Sequence, residues 1–239
     1  MLKQYDFSFS SQGIGNVYSE LAVKIHGVLM HSIPGEVAVK MHEKKYHPFS
    51  LFCVLSEDGS RIITRVSSLC EDADSIVETA SRLDTIDIKG MGEVCIYSGG
   101  EIYEKSLSQL IDEVSGKRFR LMFMTPSVFK TGGKETGFPD VSMHFLSVIR
   151  RMKEFEGENI DFDEFRKAFY KCKITDWQFA NHSYNISGIN VPGMTGYTDI
   201  ILPDGEEQIL LKKVFIYASF SGTGGRTGMG MGGFFFQKK

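Results

Sequence analysis

FSLFCVLSEDGSRIITRV, residues 49–66, decides the fold. Two apolar, β-branched runs, 49–55 and 61–66, flank Glu57-Asp58-Gly59-Ser60, and a short turn of this composition between such runs marks a β-hairpin. Upstream, residues 2–9 alternate well enough for a strand, and Ser11, Gly13 and Gly15 interrupt them. Ile14, Val17, Leu21, Ile25 and Val28 then recur at helical spacing, which predicts a helix over 14–31. Pro34 ends that pattern and suits the first turn of a second short helix, 34–45. Downstream, EDADSIVETASRL (71–83) reads as an amphipathic helix with acids at its start, and TIDIKG (85–90) and EVCIYS (93–98) read as strands. Strand, helix, strand, strand, helix, strand is the ferredoxin-like unit.

The order recurs in the second half. RFRLMFM (118–124) is a predicted strand, 140–155 a helix and 161–172 a further helical segment. Residues 173–186 and 195–202 are strands joined near Val191-Pro192-Gly193. A helix follows over 205–219, with Ile209, Leu210, Val214, Phe215 and Ala218 on its apolar face, and FFFQ (234–237) is the last strand. No residue-level repeat links the halves, only the order of elements. The predicted class is α+β, two tandem ferredoxin-like domains, 1–116 and 117–239. TPSVFKTGGKETGFP (125–139) is rich in Gly, Thr and Pro and reads as a long loop, and loops of that length are often functional.

Composition narrows the classes. At 239 residues, 42% hydrophobic and 24% charged, the chain is an ordinary globular one of one to two domains. No apolar run is long enough to span a bilayer, and MLKQYDFSFS carries no apolar segment with a cleavage site, so the expectation is a cytoplasmic protein with no membrane partner. Cys53, Cys70, Cys95 and Cys172 form no C-x-x-C pair and read as buried thiols rather than metal ligands. The net charge of -3 argues against a strongly basic nucleic-acid binder, yet residues 1–119 carry -5 (12 basic against 17 acidic) and residues 120–239 carry +2 (15 against 13). A polyanion would favour the second half.

Two stretches carry chemistry. GTGGRTGMGMGG (222–233) holds seven glycines in 12 residues. Gly225 and Gly230 have the spacing of a phosphate loop, but Met231 stands where its lysine should be. A dinucleotide fingerprint needs a strand before and a helix after, and here the order is reversed. What fits is a helix-to-strand loop stripped of side chains at Gly222, Gly224 and Gly225, whose amides approach a polyanion while Arg226 and Thr227 make side-chain contacts. The second stretch holds four of six histidines, His26, His31, His42 and His47, within 22 residues. The metal-protease pattern H-E-x-x-H is absent, and the five-residue step from His42 to His47 does not put both on one helix face. Imidazoles that titrate near neutrality suit metal-free acid–base chemistry, with no cofactor.

IHGVLMHSIPGEVAVKMHEKKYHPFSLF (25–52), TPSVFKTGGKETGFPDVSMHFLSVIRRM (125–152), INVPGMTGY (189–197) and FSGTGGRTGMGMG (220–232) together resemble, in order, the motifs of the CRISPR repeat-RNA-processing endoribonucleases. These form the sixth Cas family of the RAMP superfamily, and the resemblance is greatest to the kind serving type III-A loci. It implies two ferredoxin-like (RRM-like) domains and one metal-free cut per repeat of precursor CRISPR RNA. The 2′-hydroxyl attacks the adjacent phosphate, leaving a 2′,3′-cyclic phosphate and a 5′-hydroxyl. His42, in Met-His-Glu, falls on the family's catalytic histidine, and His26 falls where relatives carry tyrosine or histidine. Relatives place a lysine shortly after; here the stretch reads Tyr46-His47-Pro48, and Lys45 is the substitute. Lys130, Arg150 and Arg151 join the glycine loop and Arg226 in the expected RNA cradle. A type III effector complex and a second copy of the chain are further partners within this resemblance. The alternatives are a catalytically silent RAMP subunit that binds CRISPR RNA, and a nucleotide-binding regulator, which the loop context disfavours.

Overall fold

The computed structural model describes residues 1–12, 18–90 and 92–239, so Ile14 and Val17 of the first expected helix lie outside the described residues. In the first half, β1 (Leu2–Ser10) alternates so that Leu2, Tyr5, Phe7 and Phe9 are buried. It pairs antiparallel with β3 (Arg61–Ser68), which pairs with β2 (Phe49–Leu55) across the expected hairpin. Asp58 closes that turn by accepting from Ser56 Oγ, Ser60 Oγ and the Ser60 amide, and these bonds hold its carboxyl down at about 2. Helices α1 (Tyr18–Ser32) and α3 (Asp74–Ser81), the latter entered through a 3-10 turn at Glu71–Ala73, lay Leu21, Ile25, Leu29, Ile76, Val77 and Ala80 into the same core as β1. Helix α2 (Gly35–Glu43) lies between α1 and β2 in the chain.

The fourth strand departs from the expectation. TIDI and GEVC form β4 (Thr85–Ile88) and β5 (Gly92–Cys95), which pair with each other in a separate two-stranded sheet. The edge of β1 is filled by two short strands, β6 (Tyr97–Ser98) and β7 (Tyr103–Lys105). A Cβ on Gly99 would lie 1.7 Å from the Asp6 carbonyl oxygen, so the chain crosses β1 too closely there for a side chain. Helix α4 (Leu107–Glu113) was not anticipated; Ser106 and Gln109 cap it reciprocally. Its Leu107 and Leu110 pack into the core of the second half, which Leu2 and Leu69 of the first half also join.

The second half holds β8 (Arg118–Ser127), β9 (Phe129–Thr131), β10 (Lys134–Thr136), α5 (Val141–His144), α6 (Leu146–Glu156), α7 (Phe162–Tyr170), β11 (Lys173–Ile186), β12 (Ile189–Ile201), α8 (Glu206–Ser221) and β13 (Phe234–Lys238). The main sheet runs β11-β12-β8-β13, antiparallel throughout. This is the second ferredoxin-like unit, as expected, with three changes. The stretch 125–139 is not one loop: β8 continues to Ser127, and β9 and β10 form a hairpin turned at Gly132–Gly133. The 140–155 helix is broken at Phe145 into α5 and α6. The strands β11 and β12 turn at Ser187–Gly188, and Pro192 lies inside β12 opposite Ser183. That site tolerates proline because β8 joins β12 only from Met194 onward, leaving the other side of Pro192 without a ladder to break.

Helix α8 couples the units. Leu211, Val214, Phe215, Ile216, Tyr217, Ala218 and Phe220 are all buried, more than one face, whereas Ile209 of the expected apolar face is exposed. Its last turn lies against the first sheet: the Ser219 carbonyl accepts from Gln4 Nε2, the Phe220 carbonyl from Ser50 Oγ, and the Phe220 ring stacks on Tyr103. The glycine tail then runs back across this junction through a 3-10 turn, Thr227–Met229.

Gly230 shows how tight the crossing is. Its φ is +99°, and a Cβ there would lie 2.1 Å from Tyr184 Oη of β11 and 2.4 Å from Ala22 Cβ of α1. Gly230→Ala should therefore destabilise the protein by about 2–4 kcal/mol, overpacking plus left-handed strain. Urea midpoints at unchanged slope measure this, and a variant as stable as the parent would show the crossing to be loose.

Candidate active site

Phe49, the first residue of β2, is where three distant segments meet. His26 of α1 stacks on its ring at 5.6 Å between centroids and 17° between planes. His47, from the segment between α2 and β2, meets the ring edge-on at 6.0 Å and 69°. Gly228 of the tail covers the same ring: a Cβ there would be 3.1 Å from Phe49 Cε2 and 3.7 Å from His47 Cγ. Sequence spacing could not join residues 26, 47 and 228; one phenyl ring does.

Beside this cluster opens a cleft of about 320 Å³, lined among others by Lys45, Tyr46, His47, Lys130, Glu135, Arg150 and Arg226. Lys45, Lys130 and Arg150 are exposed, as an anion site requires. Lys45 Nζ lies 5.4 Å from the centre of the Tyr46 ring, a cation–π contact that steadies the amine. Of the expected catalytic residues, Lys45 borders the cleft and His26 lies on Phe49, not among the cleft-lining residues. His42 stands near the end of α2, and its side chain lies outside the described residues. His31 and His182 are exposed elsewhere.

The glycine loop differs from the expected amide cradle. The Gly222 amide donates to the Ala218 carbonyl, Thr223 to Gly232, Gly224 to His144 and Gly225 to Val128, so these donors are spent inside the fold. Gly224, at φ +68°, has no room for a side chain because a Cβ would lie 2.2 Å from the Val128 oxygen. Thr227 is buried against Gly222 rather than facing the cleft. Arg151 lines the cleft but is 4% exposed, and its guanidinium donates to the carbonyls of Ser221 (2.9 Å), Gly222 (3.0 Å) and Gly224 (2.8 Å). Burial pushes its pKa down to about 10, which leaves it charged at neutral pH. The loop is bolted in place, and Arg226 is the side chain it delivers to the cleft.

Arg226 is not a bare charge. Its Nε and Nη2 donate to the two carboxylate oxygens of Glu135 at 3.1 and 3.2 Å, a bidentate pair. Glu135 lies on β10 directly opposite Lys130 of β9. Nothing local in the sequence marks this acid, because the hairpin that aims it lies in a Gly-, Thr- and Pro-rich stretch without strand alternation. A second unanticipated feature is the buried chain Thr223–Ser127–His144. The Phe138 carbonyl, 3.1 Å away, can only accept, so His144 carries its proton on Nε2; Nδ1 then accepts from Ser127 Oγ at 2.8 Å, and Thr223 Oγ1 lies 2.9 Å beyond. Burial pushes the His144 pKa down to about 4.

A family model described as CRISPR-associated endoribonuclease Cas6 matches residues 121–234. A CRISPR-associated endoribonuclease Cas6 of Streptococcus thermophilus is 21% identical over 234 residues, covering 94% of this chain and 95% of the relative. One of Mycobacterium tuberculosis is 22% identical, covering 89% and 70%. Among solved structures, a Cas6 product complex superposes with a TM-score of 0.75 at 19% identity, over 99% of this chain and 100% of the other. A Thermus thermophilus Cas6 gives 0.70 at 18% identity, over 99% and 98%. The second half of the chain is thus similar to the Cas6 family model, and the whole chain shares its fold with these Cas6 structures.

The buried His144 makes stability pH-dependent. Its folded pKa, about 4, lies below the ordinary 6.5, so the unfolded chain takes up a proton first. The contribution is complete above pH 6.5 and is lost as pH falls toward 4, at most about 3 kcal/mol. Urea titrations should show the stability gap between the parent and His144→Gln narrowing through this window. A gap independent of pH would contradict the buried neutral imidazole.

Proposed function

We propose, from that similarity, that this chain is the endoribonuclease that cuts precursor CRISPR RNA within each repeat to release guide RNAs, acting in the cytoplasm. The observation that carries the reading is the convergence of histidines from two separate segments beside a cation-walled cleft, under a glycine loop held rigid by Arg151. Cleavage by the substrate's own 2′-hydroxyl needs a base for that hydroxyl, a proton for the leaving 5′-oxygen and positive charge near the phosphorane. In this reading His42 and His26 serve the proton transfer from the 2′-hydroxyl and Lys45 the charge, without metal. Lys130, Arg150 and Arg226 hold phosphates in line, and fixing that geometry is itself a large part of the rate.

Two further partners belong to the same proposal. A type III effector complex would receive the product. A second copy of the chain would have the outer edge of β11 to pair with, a strand whose residues 177–186 carry neither formal charge nor proline.

The direct test is purified protein with repeat RNA. A site-specific cut is expected, unchanged in excess EDTA and abolished by 2′-deoxy substitution at the scissile nucleotide. A mobility shift without a cut would make the chain a silent RNA-binding subunit, and a cut lost in EDTA and restored by magnesium would overturn the mechanism.

The Arg226–Glu135 pair gives a second, thermodynamic test. Arg226→Ala should weaken RNA binding and flatten its salt dependence, by roughly 0.7–0.9 in the log–log slope for one lost phosphate contact. Glu135→Gln unmasks the guanidinium and should tighten binding while steepening the slope. Unchanged slopes in both variants would remove Arg226 from the RNA interface.

A further inference from the structure

We propose that His47 is the proton donor to the leaving 5′-oxygen, a reading that rests on the RNA-cleaving function above. Neither its spacing nor its resemblance assigns it a role; its position does. His26 lies face to face with Phe49 and is not on the cleft wall, whereas His47 meets the same ring by its edge and lines the cleft. A proton donor has to reach the reacting atoms, and among the described histidines His47 is the one that borders the cleft.

The ring is also held. Phe49 supports it on one side, and Gly228 comes so near that a Cβ there would be 3.7 Å from its Cγ. Pro48 follows it, which confines the backbone of residue 47 to extended conformations just before β2 begins. An imidazole fixed by three neighbours needs little reorganisation to deliver a proton along one direction.

Charge selects the acid role over the base role. Lys45, Arg150 and Arg226 line the same cleft, and Glu135 is engaged by Arg226. A base at this position would gain a positive charge among cations as the reaction advances. An imidazolium there loses one, so proton release relieves repulsion, while the bound phosphodiester supplies the negative charge that keeps the ring protonated beforehand. In the step itself the 2′-oxygen forms its bond to phosphorus and gives its proton to the base, His42 or His26. The bond from phosphorus to the 5′-oxygen breaks, and the His47 proton moves to that oxygen. The products are the cyclic phosphate, a 5′-hydroxyl and neutral His47.

The test uses repeat RNA in two forms, with oxygen or with sulfur bridging phosphorus and the 5′ carbon at the scissile site, because a thiolate departs without a proton. Under single-turnover conditions His47→Gln should cut the oxygen substrate roughly 10²–10⁴-fold more slowly than the parent. On the sulfur substrate it should come within a few-fold of the parent, with RNA affinity retained. His47→Asn, read the same way, guards against a fold-specific effect of one replacement, and RNA-binding stoichiometry gives the folded fraction. Equal slowing on both substrates, or parent-like cutting of the oxygen substrate, overturns the proposal. A parent protein that cuts neither RNA overturns the function instead, which keeps the two failures apart.

Discussion

The guanidinium of Arg151 gathers the carbonyl oxygens of Ser221, Gly222 and Gly224 at the point where α8 gives way to the glycine tail. Most of the site depends on that clasp. An α-helix ends with carbonyls that need donors, and here a buried cation supplies them where water cannot. The clasp sets the direction in which the tail leaves, and hence where Arg226 and Gly228 arrive. Its cost is a buried charge, tolerable because the donors on the loop-facing side of the guanidinium meet carbonyl dipoles and because the position is anchored in α6, within the second core. Removing the side chain would leave those carbonyls unsatisfied at the junction between the sheets, a penalty that falls on geometry as much as on stability.

The glycines answer to the same constraint. The Gly222 amide closes the last turn of α8, the amides of Gly224 and Gly225 serve carbonyls of neighbouring segments, and the missing side chains admit Val128, Tyr184, Ala22 and Phe49 to near contact. A stretch this poor in side chains is elsewhere a flexible spacer; here it is a close-packed seam between two sheets. Its order comes from backbone hydrogen bonding and steric fit, and its chemistry from the single long side chain it exposes to the cleft.

The hairpin, the antiparallel order of the second sheet and the pairing of β1 with β3 were legible because alternation, turn residues and β-branched runs act over short distances. The features that were not legible depend on contacts distant in sequence. The division of the first sheet's fourth position between β6 and β7 turns on Gly99 passing over Asp6, and the placement of α4 turns on Leu107 and Leu110 finding the second core instead of the first. The burial of Arg151 and Thr227 was invisible because basic and hydroxylic residues near a glycine loop read as ligand contacts when the partner carbonyls are unknown. Glu135 and His144 had no local signature at all. The histidine cluster was legible as a cluster, but the ring that organises two of its members, Phe49, read only as the start of a strand.

The cleft combines a rigid wall with an adjustable charge. His47, Phe49 and Gly228 are fixed by packing, and the tail behind them by Arg151, so the proposed reactive edge would need no ordering when a phosphodiester arrives. Arg226 faces them with its charge answered by Glu135, and Glu135 in turn stands opposite Lys130. A carboxylate on a guanidinium occupies the donor fork that a phosphate would use, so an incoming RNA backbone competes with an internal anion rather than entering an empty site. Non-specific polyanions must displace that carboxylate for one contact. A repeat that fills the cleft and reaches Lys45, Lys130 and Arg150 at once gains enough elsewhere to do so. On the proposed function, discrimination then follows from the number of phosphates placed together, which is how a chain with a net charge of -3 would bind RNA through a local patch.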